Sequence, residues 1–143
     1  MNAFLFLVNP KLAYDPYPDW ARWLPALARG GEISTQWNTG TRRQGMEPGD
    51  LGVIVKVGTY PKGAIGLARV TSPIWIGPHW NPDAKRAETG YVDLRVDVLL
   101  PVDEPFPLAD LKLLAPGVRW TPRMSGTEIP VSAAQRLWRL LAD

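Results

Sequence analysis

The run Trp37-Asn38-Thr39-Gly40-Thr41-Arg42-Arg43 sets a flat aromatic ring beside two short polar side chains, a glycine and a pair of cations. An indole offers a face to stack on and one N–H donor. Asn38 and Thr39 are candidates to read the polar edge of a ligand. Arg42 and Arg43 are candidates to grip an anion from a glycine-permitted turn. Together these are the parts of a nucleotide grip, of the kind that stacks an unpaired base and holds its backbone. An ordinary loop beside a core tryptophan reads the same way, so both readings stand at this point.

A second polar-aromatic run, Val118-Arg119-Trp120-Thr121-Pro122-Arg123-Met124-Ser125-Gly126-Thr127, lies near the other end of the chain. Between the two, the stretch from Ser72 to Gly90 carries Trp75, His79 and Trp80, with Lys85-Arg86 behind them. As a connection it is longer than usual, which points to function or mobility. Pro73, Pro78 and Pro82 stiffen it. His79 is the only histidine and there is no cysteine. No metal site or catalytic triad can be assembled from these, so neither a metal nor a cofactor is expected, and a binding domain is favoured over an enzyme.

Elements able to carry these runs are legible in the hydropathy pattern. Ala3 to Val8 is a continuous apolar run ended by Asn9-Pro10, the pattern of a central strand buried on both faces, with Asn9 at its mouth. Trp20, Trp23, Leu24 and Leu27 form a helical stripe that Pro25 must kink or divide. Glu32 to Trp37 reads as a short strand delivering the first run. Leu51 to Val57 and Ala64 to Thr71 read as a hairpin with a longer loop. In Tyr91 to Leu100, Val92, Leu94, Val96, Val98 and Leu100 alternate with Tyr91, Asp93, Arg95 and Asp97. The Asp93-Arg95-Asp97 row suggests a cross-strand charge ladder. Short helices are expected from Pro107 to Leu114 and after Pro130, the latter burying Trp138.

The chain has 143 residues, 45% hydrophobic and 21% charged, a composition of globular domains. One domain over residues 1–143 is expected. Its 7 Trp and 15 Pro are the unusual entries and imply a loop-rich fold. A net charge of +2 permits a nucleic-acid partner without demanding one. No apolar run reaches the roughly 20 residues of a membrane span, and no signal-like N-terminus is present, so a cytoplasmic setting away from membranes is the expectation.

Taken in order, these features resemble an EVE domain of the PUA-like superfamily. The resemblance rests on the first strand ending in Asn9-Pro10, the Trp37-Asn38-Thr39-Gly40 segment, Gly45-Met46-Glu47-Pro48-Gly49-Asp50 before a valine-rich strand, Pro78-His79-Trp80, and Trp120 to Thr127 before the last helix. It extends over essentially the whole chain and is similar to the reader domain of EVE–HNH modification-dependent restriction endonucleases. It implies an α+β fold, a twisted mixed β-barrel of about five to six strands flanked by short helices. It further implies a reader of 5-methylcytosine or 5-hydroxymethylcytosine in double-stranded DNA, taken in after base flipping. The alternative is an RNA-binding module for a modified or unpaired nucleotide. On this resemblance Trp37, Asn38, Thr39, Asn9, Trp75, Trp80 and Trp120 are the candidates for the base pocket. Arg42, Arg43, Lys85, Arg86, Arg119, Arg123, Ser125 and Gly126 are the candidates for the backbone. The chain departs from the full restriction enzyme in lacking the nuclease's metal-binding histidines. It would act as a reader module, monomeric as an isolated domain, within or beside a nuclease.

Overall fold

In the computed structural model, which describes residues 1–142, every apolar run of the sequence becomes a strand or helix of one mixed sheet and its covers. The strands are β1 (Ala3–Val8), β2 (Ile33–Asn38), β3 (Leu51–Lys56), β4 (Gly63–Val70), β5 (Trp75–Pro78), β6 (Glu88–Leu99), β7 (Phe106–Pro107) and β8 (Thr127–Ile129). The helices are α1 (Tyr17–Ala28), α2 (Leu108–Leu114) and α3 (Val131–Leu141). Six strands follow one path, β2-β6-β4-β3-β1-β8, while β5 pairs with β6 and β7 with β4.

β1 runs parallel to β3 and antiparallel to β8, with Ala3 opposite Leu51 and Val8 opposite Lys56. It is buried on both faces, as its continuous apolar run requires. Phe4, Phe6 and Val8 enter one core with Trp20 of α1, Trp37 and Val92. Ala3 and Leu5 enter the other with Leu111, Trp120 and Leu137, under α2 and α3. Gly52 is needed in β3 because a Cβ there would lie 2.7 Å from the Phe6 ring.

The alternation expected along β6 holds only to Val96. Leu67 pairs with Val98 but Ala68 with Val96, which leaves Asp97 as an extra residue. This bulge reverses the strand's facing. Val92, Leu94 and Val96 lie in the first core, but Val98 packs on the second and Leu99 returns to the first. Asp97 is held there by Arg69 Nε of the neighbouring strand at 2.8 Å and by Arg95 Nε at 3.5 Å. Asp93 takes no part in that charge cluster, because its Oδ1 accepts the Trp75 indole N–H at 3.0 Å.

Three further expectations are corrected. The stretch from Ser72 to Gly90 is not one loop: β5 pairs along β6 from Trp75 opposite Tyr91 to Pro78 opposite Glu88. Helix α1 is continuous rather than divided: Pro25 stands in its last turn, so its missing N–H removes one backbone bond and only three residues follow it in the helix. Trp138 is only half-buried, packed against the second core under the Arg69 guanidinium at 5.8 Å.

Candidate nucleic-acid interface

The sheet does not close between β1 and β2. Among the described residues, β2 has β6 on one side and no strand on the other, and β8 pairs with β1 only from Ala3 to Leu5. Beyond Leu5 the end of β1 is completed by single groups. Ser125 Oγ accepts the Leu7 N–H at 2.8 Å, and the Gly126 N–H donates to the Leu5 carbonyl at 2.7 Å. The Trp37 indole N–H crosses from β2 to the Leu7 carbonyl at 3.2 Å. Over this gap lies a cleft of about 830 Å³, within the size range of sites for nucleotide-sized ligands.

The cleft gathers side chains from most of the sequence. Leu7 and Asn9 come from β1 and its exit, Tyr14 from the following loop, Asp19 from α1, and Thr35 to Asn38 from β2. His79, Trp80, Lys85 and Arg86 come from the loop after β5, Thr89 and Tyr91 from β6, and Arg123 to Ser125 from the loop before β8.

Trp37 forms part of the floor rather than a free-standing wall. It is 8% exposed and meets the Tyr14 ring edge-on at 5.7 Å. Asn38 lines the cleft, but its amide is already engaged. Nδ2 donates to Thr89 Oγ1 at 3.0 Å and to the Gly90 carbonyl at 3.3 Å, while Oδ1 accepts the Gly40 N–H at 2.8 Å. Asn38 therefore shapes the turn at Gly40, whose φ of 64° suits glycine. Asn9 stands at the mouth, as expected, and its Oδ1 accepts the N–H groups of Lys11 and Leu12, which shapes the loop bearing Tyr14. Trp80, about half exposed, is the outer aromatic face, with the His79 ring tilted against it at 5.3 Å.

Several predicted site residues lie elsewhere. Thr39 is fully buried and donates its hydroxyl to the Arg42 carbonyl at 2.8 Å, so it offers no edge to a ligand. Trp120 is 2% exposed in the second core, with its indole N–H on the Ala115 carbonyl. Trp75 sits behind the cleft, stacked on Tyr91 with ring centroids 4.9 Å apart. Arg42 turns inward: its guanidinium lies 5.0 Å over the Phe4 ring, and Nε donates to the Gly126 carbonyl at 2.7 Å. Gly126 is buried beneath the Thr39 backbone, and Arg119 lies away from the cleft. Packing selects among equivalent side chains here, which is why adjacent Arg42 and Arg43 have different fates.

Four of the predicted cations do reach the rim: Arg43, Lys85, Arg86 and Arg123, all exposed. Against them stand two carboxylates, Asp19 and Glu88. Tyr14, Asp19 and Tyr91 were not among the predicted site residues. Only the place of Tyr14, close behind the Asn9-Pro10 strand end, hints at its role in the sequence. Burial, then the hydrogen bond to Asp19, hold the Tyr14 hydroxyl well above the ordinary phenol range, so it remains a donor. Burial also raises the Tyr91 hydroxyl, which donates to the Pro78 carbonyl at 2.6 Å and fixes the base of the Trp80 loop.

Known protein-family models give no match to this chain, nor do curated protein sequences. Solved structures do match. Human THYN1 in complex with 5-methylcytosine-containing DNA has a TM-score of 0.60 at 15% identity, over 98% of this chain and 97% of that one. Protein Atu2648 of Agrobacterium tumefaciens has a TM-score of 0.60 at 18% identity, over 98% and 92%. The Mmi1 YTH domain in complex with RNA has a TM-score of 0.55 at 12% identity, over 99% and 77%. The likeness is one of fold, and it bears out the expected α+β architecture of a mixed sheet flanked by short helices.

Proposed function

We propose that this domain is a nucleic-acid reader that takes one modified cytosine, 5-methylcytosine or 5-hydroxymethylcytosine, from double-stranded DNA into the cleft between β1 and β2. The observation that carries this reading is the cleft itself, which opens where the sheet fails to close and combines an aromatic floor with a basic rim. In this reading Trp37 and Tyr14 bound the base from below, Trp80 covers it from outside, and Arg43, Lys85, Arg86 and Arg123 hold phosphates. Asn9, Asn38 and Ser125 keep the floor in shape. The DNA complex of THYN1, a protein of the same fold, supports the choice of partner.

The energetics are compatible with base flipping. Extracting a base costs a few kcal/mol, and each aromatic stacking contact returns about 1–3 kcal/mol. Phosphate contacts then supply net affinity that weakens with salt. A niche for a 5-methyl group adds only about 0.8 kcal/mol, a factor of about four, so methyl burial alone makes a poor discriminator. The domain would serve as the reader for a nuclease, in the same chain or as a partner, as in restriction–modification. The test is a binding comparison among otherwise identical duplexes carrying cytosine, 5-methylcytosine, 5-hydroxymethylcytosine or N6-methyladenine, with a matched RNA. Tightest binding to a modified-cytosine duplex is expected. Equal affinity for all the duplexes would overturn the reading.

The RNA complex of the Mmi1 YTH domain, again of this fold, favours a second reading, in which the cleft takes a modified or unpaired nucleotide of RNA. Preference for the matched RNA in the same comparison would select it.

A further inference from the structure

A cleft built to hold a polyanion has reason to avoid carboxylates, yet Asp19 lines this one, and it is only about a quarter exposed. Its place in the first turn of α1 makes a negative charge tolerable there. That does not account for a carboxylate turned into the cleft and clasped from the side. The Tyr14 hydroxyl donates to Oδ2, Arg22 pairs with Oδ1 from the solvent side, and the Tyr14 ring in turn rests edge-on against Trp37. Asp19 is thus oriented by a residue that touches the aromatic floor. A carboxylate oxygen carries more than one acceptor position, so each keeps capacity beyond the bond it already receives.

We infer that Asp19 is a specificity-determining residue that accepts a hydrogen bond from the exocyclic amino group of the bound base, which makes the ligand class an amino-bearing base and excludes keto bases. This rests on the proposed reader function and sharpens it. A niche for a methyl group cannot separate 5-methylcytosine from thymine, because thymine carries the same methyl at C5. Thymine is abundant in any DNA, so a reader relying on the methyl would be saturated by it. The two bases differ at C4, where cytosine donates through its amino group and thymine offers only a carbonyl oxygen. A carboxylate rewards the first and repels the second, giving both the attractive and the repulsive element that discrimination needs. Tyr14 acts through Asp19 as a positioning residue: with its proton held on the phenol oxygen, it fixes the carboxylate and leaves the remaining lone pairs to the base.

The experiment uses single-stranded oligonucleotides, which remove the cost of flipping. They are identical except for cytosine, 5-methylcytosine, uracil or thymine at one position, so that the amino group and the methyl group vary independently. The wild-type protein is expected to bind the two amino-bearing strands at least tenfold more tightly than the two keto strands. In Asp19→Asn the side-chain oxygen still accepts from Tyr14 and an amide N–H faces the cleft, so the preference collapses or inverts toward thymine and uracil. Tyr14→Phe, which keeps the ring against Trp37, should weaken the preference without inverting it. Thermal melting of both variants separates a binding effect from misfolding. Wild-type protein that prefers 5-methylcytosine to cytosine but binds thymine equally well would overturn the role of Asp19 and leave the reader function standing. The same holds for an Asp19→Asn variant, folded as the wild type, that keeps the full amino preference. Indifference of the wild type to all four bases would instead overturn the reader function itself.

Discussion

The Trp37 indole N–H donates to the Leu7 carbonyl at 3.2 Å across the gap where β1 and β2 are not paired by their backbones. One side-chain hydrogen bond therefore joins the two strands whose separation opens the cleft. It ties the stability of the fold to the shape of the site, and it sets the expectations for substitutions around it.

Trp37→Ala should destabilise the domain by about 3–5 kcal/mol, since a large, almost fully buried side chain is removed. Trp37→Phe keeps an aromatic ring and loses mainly the bond to Leu7, costing about 0.5–1.5 kcal/mol for that bond. Denaturant unfolding measures both. In a binding assay on folded protein, Trp37→Phe should retain more affinity for a modified-cytosine duplex than Trp37→Ala.

Arg42, packed inward, and Arg123, at the rim, carry opposite expectations. Arg42→Ala removes a guanidinium packed on Phe4 and bonded to Gly126, so it should lower the melting temperature while leaving the salt dependence of DNA binding unchanged. Arg123→Ala, at the exposed rim, should do the reverse. It should leave stability within about 0.5 kcal/mol of wild type and reduce the salt slope by about 1. Titrations at several salt concentrations distinguish the two.

The Tyr14 hydroxyl gives a dependence on pH with a definite sign. Its folded pKa is raised above the ordinary phenol value of about 10, by burial first and by the Asp19 hydrogen bond second. The folded state therefore keeps a proton that the unfolded state loses above about pH 10. This stabilisation is fully present below that pH and declines as pH rises further. Tyr14→Phe should make the alkaline loss of stability shallower, as read from unfolding curves between pH 9 and about 11.

Gly126 has a φ of 85°, and a Cβ there would lie 2.5 Å from the Thr39 carbonyl oxygen. Gly126→Ala should destabilise by roughly 1–3 kcal/mol from backbone strain, with more from the displaced Thr39 segment. Because that segment leads out of β2 beside Asn38, binding should fall even in the molecules that remain folded. Thermal melting and a titration of folded protein check the two effects.

The elements were legible where a local pattern decides them. The unbroken apolar run of β1, the alternation through Val96 and the stripes of α1 and α3 each reflect burial along a single element. Beyond Val96 the pattern misleads, because the Asp97 bulge depends on Arg69 of another strand. β5 was hidden because Pro73 precedes it and Pro78 ends it, and its pairing is supplied by β6. At the site, the sequence placed Trp37, Asn38 and Asn9 at the end of a strand, where the cleft is. It could not separate Trp37 from Trp120, since both are indoles in polar-aromatic runs and only long-range packing puts them in different cores. Nor could it reveal Asp19, which looks like an ordinary acid in the first turn of a helix until Tyr14 folds against it.

The central claim is that the base sits in the β1/β2 cleft, and the 7 tryptophans supply the probe, because each indole N–H gives its own resonance in a two-dimensional NMR spectrum. On titration with a duplex containing one 5-methylcytosine, the Trp37 and Trp80 indole signals should shift most. Those of Trp20 and Trp120, in the two cores, and of Trp138, on α3, should stay nearly fixed. Saturating binding with Trp37 and Trp80 unmoved, and the largest shifts at Trp120 or Trp138, would contradict the account.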